Sequence, residues 1–179
     1  MPHRVSRSLT DVAPAVLVPA AWTVTFLAHV TDLVSRHTLL VALVVMTVLL
    51  GAFAVGTRDR MTGPVLGVWR GVIVLGFVVT LVGAVDMAVT PAADPTLFVT
   101  LYGWMVIPAL AYVATAQSVE KPFSTVYLTG SVLSLTGAGT YAFAGSTVDA
   151  AVGLAVVGVG QTAGIVAAVV QNPGTGGEG

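Results

Sequence analysis

Two of the chain's three histidines fall within one short stretch, FLAHVTDLVSRH, residues 26–37. His29, Asp32 and Arg36 are spaced three and then four apart, which stacks side chains on one face of a helix. A carboxylate at that distance can hold a protonated imidazole by charge. Histidine is also the side chain whose charge changes near neutral pH, so such a pair could carry protons. The plain alternative is structural. Asp32 and Arg36 make an ordinary helical ion pair, and Arg36 and His37 suit the negative pole of a helix end.

Few other residues could join such a site. Asp86 ends a long apolar run, and Gln161 sits centrally in another, in GVGQTAG. Tyr102 and Trp104 lie in YGWMVIPALAY, residues 102–112. His29, Asp32, Asp86, Tyr102, Trp104 and Gln161 are therefore the candidates for a polar, proton-linked site. Gln161 also has a plain explanation, an interhelical hydrogen bond worth about 0.6 kcal/mol on average. Thr80, Thr100, Thr136 and Thr140 can bond their own helix backbones and need no function.

Arg70 lies roughly 9 Å inside its apolar run at the rise of a helix. Its side chain can reach back to the surface beside Trp69, where it could meet an anionic lipid headgroup.

Other chemistry lacks its parts. With no cysteine, disulfides, iron–sulfur clusters and thiol catalysis are excluded. Bis-histidine haem ligation needs histidines facing each other across a bundle, and none follows His37. No metal-ligand spacing is present. We expect no cofactor, no metal and no catalytic residue. A net charge of −1 argues against a nucleic-acid partner.

The elements that must hold these residues are apolar throughout. The chain is 56% hydrophobic and 8% charged, with mean hydropathy +0.95. A soluble surface cannot be covered with so few charges. Six runs are long enough to read as membrane-spanning helices: about 12–34, 38–56, 65–89, 96–116, 124–144 and 149–170. The first run is too long for a signal-peptide core, so we read it as a retained span. Turn formers and charges fill the gaps, in TRDRMTGP, TPAADP, QSVEKPF and GSTVD.

Arg4, Arg7, Arg58, Arg60 and Lys121 fall on one side when these spans alternate, against Arg36 on the other. That bias places both termini in the cytoplasm. The expected fold is all-α: a compact six-helix bundle in the plasma membrane, one domain over 1–171, with a flexible tail at 172–179.

Small residues recur every four positions. Gly130, Ser134, Ala138 and Ala142 share one face of the fifth helix, and Gly160, Gly164 and Ala168 one face of the sixth. Such ridges allow close helix packing, within the chain or against another copy or subunit. Pro108 sits inside the fourth helix, removes a backbone donor and frees the carbonyl of Trp104. Tyr102 and Tyr112 suit aromatic belts at opposite membrane surfaces.

Three functional classes follow. The first is a non-enzymatic membrane protein acting through helix contacts, as an accessory or assembly subunit with the bilayer and a membrane partner or second copy around it. The second is a small transporter or channel with its polar site at the outer ends of the first, third and fourth helices. The third is an intramembrane enzyme on an apolar substrate, for which convergent acid–base groups are too few.

Overall fold

The structure, a computed structural model, describes the backbone of residues 9–57, 59, 61–90 and 95–171. Side chains are described for residues 14–57, 59, 61–90 and 97–171. Arg4, Arg7, Arg58, Arg60, Asp94 and the tail 172–179 lie outside that set.

Within it the chain is helical, with no strand. The helices are α1 (Leu9–Val30), α2 (Arg36–Gly56), α3 (Pro64–Val89), α4 (Pro95–Ala116), α5 (Phe123–Ala142) and α6 (Thr147–Gln171). By length and composition four can cross a membrane: α2, α3, Leu97–Ala116 of α4, and α6. The described apolar part of α1, Pro14–Val30, is shorter. α5 is long enough at 20 residues but falls short on apolarity, because seven are serine or threonine and three are glycine.

Consecutive helices from α2 to α6 pack antiparallel. Gly51 of α2 faces Phe77 of α3, Trp69 near the start of α3 meets Tyr112 near the end of α4, and Tyr127 early in α5 meets Gln171 at the end of α6. α1 leaves this sequence order. Among the described residues it packs mainly on α6, with His29 reaching Tyr141 of α5, and α2 packs on α3. The order of contact is therefore α1, α6, α5, α4, α3, α2, with α4 also touching α6. The loops after α1, α3 and α5 share one end, called here the hairpin end. The opposite end holds the start of α1 and the finish of α6.

α5 and α6 approach most closely, and glycine makes that possible. A Cβ on Gly130 would lie 2.7 Å from the Gly160 carbonyl oxygen, and one on Gly137 would lie 2.6 Å from that of Gly153. These contacts recur every seven residues, the period of helices that stay in register along their length. The ridge expected at four-residue spacing is thus only partly engaged. Gly130, Ser134, Ala138, Gly160 and Gly164 are buried and Ala168 is half-buried, but Ala142 is exposed. Gly137 and Gly153 complete the contact instead.

The first boundary also differs from the expected helix to residue 34. α1 stops at Val30, where the Thr31 hydroxyl turns back to the Leu27 carbonyl at 2.7 Å. Ser35 then caps α2 by accepting the Thr38 amide at 3.1 Å. Asp32 therefore lies in an exposed turn and Arg36 opens the next helix, so His29, Asp32 and Arg36 do not form one helical stripe. Arg36 donates to the Met87 carbonyl at 2.7 Å and to the Thr90 carbonyl. It serves the negative pole of a helix, but of α3 rather than α1.

Replacing Gly160 by valine should lower stability by about 1–3 kcal/mol, because neither helix backbone can yield easily. Gly139→Val is the matched control, since nothing lies within 4 Å of a Cβ there. Unfolding in mild detergent would test the pair, and equal loss from both would reject the close-approach account.

Candidate functional site

The polar centre of the bundle forms where Pro108 breaks α4. Proline has no N–H to give the Trp104 carbonyl, and in lipid no water replaces it. The Gln161 side-chain amide supplies the donor, with Nε2 at 2.8 Å from the Trp104 oxygen and 3.2 Å from that of Met105. The Oε1 of Gln161 accepts from the Trp22 indole at 3.1 Å. The backbone carbonyl of Gln161 accepts from the Tyr112 hydroxyl at 2.7 Å. One glutamine, 3% exposed, thereby joins α1, α4 and α6.

A second polar line continues from Trp104 into α3. Its indole N–H donates to the Thr80 hydroxyl at 2.9 Å, and Thr80 donates to the Gly76 carbonyl at 2.6 Å. Gly76 leaves the space that the indole occupies. Thr100, expected to bond its own helix, instead donates across to the Val79 carbonyl at 2.9 Å. Thr140 does bond back, to the Thr136 carbonyl at 3.0 Å.

Aromatic rings gather at both ends. At the hairpin end the His29 and Tyr141 ring centres are 5.5 Å apart, edge to face. Phe98 packs on Tyr102 at 4.7 Å, and Tyr102 donates to the Ala138 carbonyl at 2.6 Å. At the other end Trp69, Tyr112 and Tyr127 form a ladder, and Trp69 donates to the Thr115 hydroxyl at 3.2 Å. Tyr112, read as a membrane-surface residue, is 1% exposed. Its ring fills the space beside Gly164, and only its hydroxyl is polar.

The six candidate residues do not converge. Gln161 meets Trp104 through the latter's carbonyl, and Tyr102 neighbours His29 only by way of Tyr141. Asp86 accepts the Thr90 hydroxyl at 2.8 Å on α3, a helix that α1 does not touch among the described residues. No three acidic or histidine side chains gather there either. Arg70 is exposed on α3.

Among the described residues, grooves between α1 and α6 and between α3 and α4 are apolar. One of about 430 Å³ lies between Phe26 and Val30 of α1 and Val148, Ala151 and Val152 of α6. The other, about 200 Å³, lies between α3 and α4 around Gly71 and Ile107. Neither is lined by any of the six candidates.

What this arrangement can do chemically is hold helices in place. Sequence reasoning found the freed carbonyl and the central glutamine but not that one answers the other. It also passed over Trp22, whose single ring nitrogen is a donor that a buried site must satisfy.

No protein-family model, curated protein or solved structure matches the chain.

Gln161→Leu keeps the volume and removes the bonds that the glutamine side chain makes to Trp104, Met105 and Trp22. It should destabilise the bundle by about 1–3 kcal/mol, leaving the Trp104 carbonyl and Trp22 N–H unpaired. A double-mutant cycle with Trp22→Phe should give a coupling near about 0.6 kcal/mol. A coupling of zero would mean that the indole contact carries no weight.

Proposed function

We propose that this chain is a six-span protein of the plasma membrane with both termini in the cytoplasm, acting without catalysis through helix contacts as an accessory or assembly subunit. The observation that supports this reading best is the use made of the interior polar groups. The Gln161 amide, the Trp22 indole and the Tyr112 hydroxyl bond one another or a neighbouring backbone, and the Trp104 indole bonds the Thr80 hydroxyl. A transport route would instead need polar groups lining a space, and the two grooves are apolar.

The outward faces favour contact with apolar surroundings. α2 buries only Thr47, and Val41, Val44, Val45, Val48 and Leu49 are exposed on it. A helix apolar on every side belongs in lipid or against another membrane helix. Arg36, the lone basic residue of the hairpin end on the sequence count, is held by α3 carbonyls. That leaves the positive-inside bias with the opposite end.

The absence of cysteine makes both parts of the reading directly testable. Single cysteines at Asp32 and Ser146 should react in intact cells with a membrane-impermeant maleimide. Those at Asp59 and Lys121 should react only after permeabilisation. The reverse pattern would overturn the orientation. Purification in mild detergent should yield the chain with a membrane partner or a second copy, cross-linkable through Val48→Cys. A bare monomer throughout would sink the accessory reading.

A further inference from the structure

The least apolar helix is held between two others, and the two facts are connected. α5 falls below the apolarity of a free-standing span, yet it lies between α4 and α6. Gly130, Ser131, Ser134, Gly137 and Ala138 are buried on its inward face, while Leu128, Val132 and Leu135 face outward together with Thr125, Thr129 and Thr136. Without its neighbours, the inward face would present hydroxyls and glycine backbone to hydrocarbon. Translocon scales penalise such helices individually.

The cover comes mainly from α6, where backbone meets backbone at Gly130–Gly160 and Gly137–Gly153. α4 reaches α5 chiefly with long side chains, through Tyr102 to the Ala138 carbonyl and Tyr112 to the Tyr127 ring. α6 is itself long and apolar enough to cross a membrane, and the chain between the two helices is short, residues 143–146.

We propose that α5 does not enter the bilayer on its own but as a hairpin with α6, which covers its polar face during insertion. α6 therefore acts on α5 as an intramolecular insertion partner, and the α5–α6 loop crosses the membrane only when their glycine contact can form. This inference rests on the six-span reading.

The experiment follows the loop in the full-length chain. Ser146→Cys is labelled from outside intact cells during synthesis, before any misassembled chain is degraded. Gly160→Leu makes α6 more apolar but fills the space that α5 needs. It should reduce outside labelling by about two-fold or more, as for a helix left to insert alone. Thr129→Leu with Thr136→Leu, both exposed positions on α5, raise the apolarity of α5 without touching the contact. Added to Gly160→Leu, they should restore labelling, which a purely structural lesion would not allow. Full labelling of the Gly160→Leu chain, or no restoration by the two leucines, would overturn the proposal. Absence of labelling in the parent Ser146→Cys chain would instead defeat the six-span reading.

Discussion

A carbonyl without a donor is the constraint on which this bundle turns. In water the oxygen that Pro108 frees would be hydrated at little cost. In hydrocarbon it must find a partner inside the protein. Gln161 provides one, and its own oxygen then needs a donor, which Trp22 supplies. Each satisfied group fixes the next, so one proline in α4 sets the depth of α6, and α6 sets that of α1. The bonds are individually modest. Their effect on register is large because moving any partner leaves a buried polar atom unpaired.

Close approach does for the helix surfaces what this network does for their depth. Lipid tails are as apolar as leucine, so apolar area alone does not select partners. Glycine selects them by letting backbones touch, at Gly130–Gly160 and Gly137–Gly153, or by receiving a ring, at Gly76 for Trp104 and Gly164 for Tyr112. The two devices coincide on α6. Gly160, Gln161 and Gly164 lie within five residues of one another, and they serve α5, α1 with α4, and Tyr112 respectively. α6 is consequently the helix through which most of the bundle is tied.

Much of this was legible in the sequence, and the failures have physical causes. Apolar runs gave the helices and their approximate limits. Proline chemistry gave the free carbonyl at Trp104. Partners were not legible, because a spacing describes one helix and a contact needs two. The four-residue ridge on α5 therefore missed Gly137 and Gly153, which follow the seven-residue repeat of the pair. The stripe from His29 to Arg36 failed for a local reason. Thr31 and Ser35 bond the backbone and divide the run into two helices, a capping signal hidden by the charged residues around it. α6 begins likewise, with Ser146 accepting the Asp149 amide and bonding its carboxylate at 3.2 and 2.8 Å. α5 is less apolar than its length suggests, because serines and threonines lie on both of its faces among the leucines and valines.

The order of the helices carries a consequence that chain order conceals. α1 and α2 are joined by five residues, 31–35, yet stand first and last in the order of contact. α1 is held by the Trp22–Gln161 bond, the fit of Trp22 over Gly158 and the His29–Tyr141 ring contact, α2 by Phe77 against Gly51 and by Arg36 on the carbonyls of Met87 and Thr90. The polar anchors differ in place: that of α1 lies at mid-helix, that of α2 at its first residue. The polar hold on α2 is thus confined to the hairpin end, while toward the other end Gly51 meets Phe77 through apolar contact alone. In the glutamine network, by contrast, the Gln161 amide nitrogen holds α4 and its oxygen holds α1, so displacing either contact would release a helix.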